Sequence, residues 1–173
     1  MIFIRVVLWL GFAGGVLSGC QESESTTVSA ASEIRRPTAA QPRLATIPLY
    51  LGPEVITAEL ALTPVQQQTG MMFRTNMAEN EGMLFIYPQP QRVGFWMLNT
   101  VLPLSAAYID REGVIREIHP LQPGNTNAVV STSDQIQFIL ETRQGWFERK
   151  HISPGAIIRT ERGTLAQTFF PPR

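Results

Sequence analysis

The pattern of apolar and polar positions changes character at about residue 44. Before that point there is one uncharged apolar run, Val6 to Leu17, followed by QESESTTVSAASEIRRPTAAQPR over residues 21–43, which contains no aromatic residue. From Leu44 onward, short apolar runs recur between turn residues. Thr46–Leu51 and Val55–Leu62 read as strands around a Gly52-Pro53 turn. Thr63-Pro64-Val65-Gln66 has the order of a capping box with proline at the first helical position. It predicts a short helix over Pro64–Thr69, ended by Gly70. Gly82–Tyr87 and Val93–Leu98 form two more apolar runs, split by Pro88-Gln89-Pro90, which a central strand would not accept. Leu104–Ile109 and Val114–His119 flank Asp110-Arg111-Glu112-Gly113 and predict a hairpin, with Gly113 at its left-handed position. Ile136–Thr142 is a further strand, Gly145–His151 a short helical turn, and Pro154-Gly155 a tight turn. Ala156–Thr160 and Leu165–Phe169 read as closing strands. The expected class is mainly β (α+β): a compact, partly closed β-barrel or packed sheets with one or two short helices.

The segment before residue 44 reads as an export and anchoring device. Met1 to Arg5 carries one positive charge, and the apolar run behind it is too short to span a bilayer comfortably. It ends in Leu17-Ser18-Gly19-Cys20, which resembles the lipobox of bacterial lipoproteins. Residues 1–19 are therefore expected to be a signal peptide, and Cys20 to carry the lipid and become the mature N-terminus. The bland alternative is an uncleaved anchor helix. Gln21 in place of Asp points, by resemblance to Gram-negative lipoproteins, to the outer membrane facing the periplasm. Residues 20–43 cannot bury enough apolar area to offset their ordering entropy and read as a solvated tether. As a coil, such a tether spans about 25–30 Å. The single globular domain is then 44–173.

Composition narrows the function. With 44% hydrophobic and 16% charged residues, a packed core is expected. Lys plus Arg equals Asp plus Glu, 14 against 14, and removing residues 1–19 takes away only Arg5. A near-neutral domain has no long-range field to gather phosphates, which argues against nucleic acid as a partner. Cys20 is the sole cysteine, so neither an internal disulfide nor a thiolate metal cage can form.

TPVQQQTGMMFR, EGMLFIYP, FWMLNTVLPL, AYIDREGVIREIHPLQP and LETRQGWFERKHISPG follow one another within the stretch Thr63–Ile158. In order and spacing they resemble the widespread prokaryotic family named domain of unknown function 192. The resemblance implies a small β-rich single domain, often exported, with no agreed activity. Two positions depart from it: Leu98 stands where the family usually has Lys, and Ser105 where it has an acidic residue.

Candidate chemistry is sparse. His119 and His151 lie 32 positions apart without ligand partners, so no metal and no cofactor is expected. His119 reads as a rim residue or as a base, His151 as a helix C-terminal residue. No G-x-S-x-G elbow is present, and Glu79 and Glu81 sit in a polar loop where both should stay ionised. Five of the six methionines fall between Met71 and Met97, as core filler or as an adaptable groove. Arg74 follows Met71-Met72-Phe73, and either answers a carboxylate such as Glu59 or grips an anion. Asn99-Thr100, after an apolar strand, is a turn organiser or a ligand contact. The favoured reading is a non-enzymatic module, anchored to a membrane through Cys20, that binds a small anionic molecule, a glycan or a protein. Its contacts would be Arg74, Trp96, Asn99, Thr100 and His119. The alternative is a hydrolase of envelope material, with Arg74, Asn99 and His119 converging on one cleft as anion binder, oxyanion donor and base.

Overall fold

The computed structural model describes residues 36–171. The expected signal peptide, Cys20 and the first part of the expected tether lie outside them. No helix among the described residues is long and apolar enough to cross a membrane.

Among the described residues, ten strands and three short helices follow in the order β1 Thr46–Leu51, β2 Glu54–Ala61, α1 Pro64–Thr69, β3 Glu81–Gln91, β4 Gly94–Phe95, β5 Leu104–Asp110, β6 Ile115–Leu121, β7 Val129–Val130, β8 Ile136–Arg143, α2 Trp146–Arg149, β9 Ile158–Thr160, β10 Gly163–Thr164 and α3 Leu165–Phe169. Eight strands make one sheet in the order β10-β9-β1-β2-β3-β8-β5-β6, and β4 and β7 pair separately. Only β2 and β3 are parallel, because α1 carries the chain across between them. The sheet curls until the start of β6 meets the start of β9 through a single bridge, Val114 with Ile157. No ladder joins those two strands, so the expected barrel is not closed, and the packed-sheet form of the expectation describes the fold.

Period-two alternation sends each central strand into two cores. Leu84, Ala107, Phe138 and Leu140 face one side, where Trp146, Phe147 and Leu165 cover them. Met83, Phe85, Ala106, Tyr108 and Ile139 face the other, beneath Met71, Met77, Phe95 and Met97. The methionine-rich segment is therefore largely core of this second layer.

Three elements differ from expectation. Leu165–Phe169 is a helix, because Thr164 and Gln167 form a reciprocal capping box that fixes its first turn. Val93–Leu98 contracts to the two residues of β4, since it pairs only with β7. β3 runs on through Pro88 and Pro90, at the cost of a bulge. Its pairing with β8 breaks between Ile86 and Gln91, where the side chain of Gln137 donates to the carbonyls of Tyr87 and Pro88.

Candidate functional site

One row of residues crosses the second face of the sheet. Strand registers set Glu59 of β2 beside Met83 of β3, Met83 beside Glu141 of β8, Glu141 beside Ala106 of β5, and Ala106 beside His119 of β6. Three polar groups thus share a row, each separated from the next by an apolar residue and by roughly 10 Å, two strand spacings. Their fates differ.

Glu59 is buried and fully partnered. The Arg74 guanidinium meets it with both terminal nitrogens, Nη2 at 2.9 Å from Oε2. Arg43 Nη1 donates to it at 2.9 Å and the Leu44 N–H at 2.7 Å. Burial alone would raise its pKa, but Arg74, the Leu44 amide and Arg43 outweigh burial and hold the carboxyl below its ordinary range. Arg74 is itself buried. Its sequence-based placement as a ligand contact gives way to the other arm of that reading, the bridge to Glu59.

His119 lies at the sheet edge, with Nε2 3.0 Å from Glu117 Oε2 and its ring edge-on to Tyr108. Glu117 also accepts from the Thr132 amide and hydroxyl, so this cluster ties β6 to the segment after β7. Asn99 is exposed and left-handed, φ 55°, and its carbonyl accepts from the Phe73 N–H. It organises a turn. Arg74, Asn99 and His119 do not converge: the carboxylate that Arg74 grips and the strand that carries His119 are four strand spacings apart, roughly 19 Å.

Glu141 is the residue that sequence reasoning missed. It is 3% exposed, its Oε2 is buried without a partner, and burial pushes its pKa up to about 8. The signal was available: a lone carboxylate inside the apolar strand IQFILET. Glu141 lines a cleft of about 260 Å³ on this face of the sheet. Phe85 and Tyr87 of β3 and Phe95 of β4 supply aromatic surface, and Trp96 stands half exposed (49%). Residues 67–72, from the end of α1 into the following loop, form another wall, and Thr100 a further one. Two of the predicted contacts, Trp96 and Thr100, therefore line this cleft, whereas Arg74, Asn99 and His119 do not. The Thr100 hydroxyl donates to the Leu98 carbonyl. Tyr87 and Tyr108 feel Glu141 as well: burial first, and its charge second, push both phenols up.

The wall that carries Gly70 depends on backbone geometry. Gly70 has φ 46° and ψ −128°, and its N–H closes α1 on the Gln66 carbonyl. The carbonyls of Gln66 and Gly70 both accept from the Gln41 side chain, so residues before β1 brace the wall from outside. Ser105, at one of the two departures from the family pattern, accepts from the Gly145 N–H, away from the cleft. Among the described residues no cluster of three or more metal-ligating side chains exists.

Comparison with known proteins bears on the whole domain. The DUF192 family, described as "Uncharacterized ACR", matches residues 50–160. No curated protein matches the chain. Among solved structures, a candidate transcription regulator of Sinorhizobium meliloti 1021 is 31% identical with a TM-score of 0.65; the likeness covers 70% of this chain and 98% of that one. A protein of unknown function from Novosphingobium aromaticivorans is 30% identical, also with a TM-score of 0.65, over 70% of this chain and 91% of its own. On the span of that family match and on likeness at this level of identity, the chain belongs to the DUF192 family.

Proposed function

We propose that this protein is a lipid-anchored component of the cell envelope whose DUF192 domain binds a small molecule in the cleft over Glu141, without transforming it. The observation that carries the reading is the cleft: preformed, about 260 Å³, aromatic-walled, with a buried carboxyl oxygen that has no partner. A concave apolar pocket with few convergent polar groups is the usual form of a small-molecule site. Catalysis is disfavoured because the lining lacks a nucleophile with a base in reach. Glu59, the other buried acid of the row, is consumed by Arg74 and does not reach the cleft. At roughly 30 Å³ per water, the volume corresponds to roughly nine water molecules, so the ligand, or the part of it that enters, is small.

The cleft is tested by NMR titration of the detergent-solubilised full chain with a library of small fragments. Binders that shift the Trp96 indole and Gly70 amide signals support the reading. A library that leaves both unmoved removes it. Anchoring rests on Leu17-Ser18-Gly19-Cys20 and the tether behind it, and Cys20→Ser should abolish metabolic palmitate labelling; label that persists in the variant would refute the lipobox.

A further inference from the structure

We infer that the ligand of this cleft is a small organic monocation, an ammonium head on a compact apolar body, which docks its head on Glu141 and its body against Phe85, Phe95 and Trp96. The inference rests on the binding reading above and adds the chemical class.

The charge inventory points this way. The cleft lining contains one acid and no Lys, Arg or His. Arg143, two residues on along β8 and on the same face, is exposed, donates from Nη1 to the Met77 carbonyl and does not line the cleft, while Arg43 and Arg74 are held by Glu59, roughly 10 Å along the row from Glu141. An anion entering here would meet a carboxyl with no counter-charge, which runs against the anionic ligand expected from Arg74. The immediate cross-strand neighbours of Glu141 are Met83 and Ala106, neither of which can donate to its vacant Oε2. A buried carboxyl oxygen without a donor gains most from a ligand that brings one, and a charged N–H donor gives the stronger bond. Aromatic faces attract an ammonium through their quadrupoles, and more so when it is desolvated. A neutral alcohol would use only the hydrogen bond.

Docking balances by one proton. The protonated carboxyl gives its proton to solvent as the ammonium arrives, leaving carboxylate and ammonium paired. Other titratable groups around Glu141 leave this exchange alone. Tyr87 on β3 and Tyr108 on β5 have raised pKa values and stay neutral. Glu117 and His119 on β6 face each other beyond Tyr108. The α1 side of the cleft presents glutamines, Thr69 and methionines.

The test is calorimetric titration of the full chain in nonionic detergent with benzylammonium, benzyl alcohol and benzoate, each at pH 6, 7 and 8. Benzylammonium should bind at least tenfold tighter than benzyl alcohol, with benzoate weakest. Its affinity should rise by about ninefold from pH 6 to 7 and by about fivefold from pH 7 to 8, as the carboxyl ionises toward its pKa of about 8. Glu141→Gln should remove the pH slope and most of the preference, leaving only what the aromatic faces supply, and His119→Gln should keep both. If Glu141→Gln does not fold, Trp96→Leu serves instead, and should weaken benzylammonium more than benzyl alcohol. Benzyl alcohol or benzoate binding as tightly as the cation, or a slope that is flat with pH, would overturn the cation and leave the binding cleft standing. No binding by any of the three probes would overturn both.

Discussion

At the scale of single residues, Glu59 and Glu141 show how one side chain takes opposite states on one sheet face. Glu59 meets two guanidinium groups and an amide; Glu141 meets Met83, Ala106 and a cavity. The first is held ionised and the second is held protonated. This fixes the sign of the pH dependence of stability. Glu141 has a folded pKa above its ordinary 4.5, so the folded state binds the extra proton between about 4.5 and 8. Stability from this group is complete below 4.5 and falls as pH rises to about 8, by up to about 1.4 kcal/mol per pH unit. Glu59 acts in the opposite direction, and its contribution is lost as pH falls below the ordinary carboxylate range. Thermal unfolding between pH 5 and 8 should show a declining Tm in the wild type and a level one in Glu141→Gln; parallel curves would show that Glu141 is ionised in the folded state. Arg74→Ala leaves the Glu59 carboxylate buried with a single, largely exposed cation, Arg43. Losses of about 3–5 kcal/mol accompany such breaks, and urea unfolding should find a loss in that range. A loss under about 1 kcal/mol would mean that the pair is solvated.

At the scale of elements, two capping boxes had different outcomes in sequence reading. Thr63-Pro64-Val65-Gln66 is conspicuous because proline follows the cap, and α1 has the predicted bounds. Thr164-Leu165-Ala166-Gln167 has the same reciprocal bonding, but its apolar content resembles a strand and hides the helix. Short apolar runs carry too little periodicity to separate the two states, so the cap decides. The turn after α1 holds the cleft wall in a conformation open to glycine. A Cβ at Gly70 would sit 3.3 Å from Phe85 Cζ, with φ still at 46°. Gly70→Ala should therefore cost about 1–3 kcal/mol. It should also displace the Phe85 ring from the cleft, visible as shifted aromatic NMR signals. An unchanged urea midpoint would show that the turn relaxes freely.

At the scale of the whole molecule, the domain begins before its first strand. Gln41 braces the cleft wall, while Arg43 reaches Glu59 and Glu81. The boundary drawn at 44 from hydropathy misses these polar contacts because they bury no apolar run. A chain of residues 44–173 should still unfold cooperatively, yet be about 1–3 kcal/mol less stable than one of residues 36–173, the sum expected from two backbone-directed hydrogen bonds and a partly exposed ion pair. Equal urea midpoints would place the true edge at Leu44.

What the sequence by itself determined is whatever depends on neighbours along the chain. The β1, α1 and β8 segments, the β5–β6 hairpin around Gly113, the left-handed Gly113 (φ 89°) and the family resemblance all follow from local pattern and turn chemistry. The tertiary structure decided whatever depends on register. Alternation made Glu141 face the methionine layer, but only the pairing of β8 with β3 and β5 gave it Met83 and Ala106 as neighbours instead of an arginine. The parallel pairing of β2 with β3 set Glu59 in the row, where the chain after α1 brings Arg74 to it, the pairing of β6 with β5 kept His119 at the far edge, and Trp96 and Thr100 came to lie beside the cleft. A carboxylate's partner across strands is set by strand order, and strand order is a long-range property that no window of sequence contains.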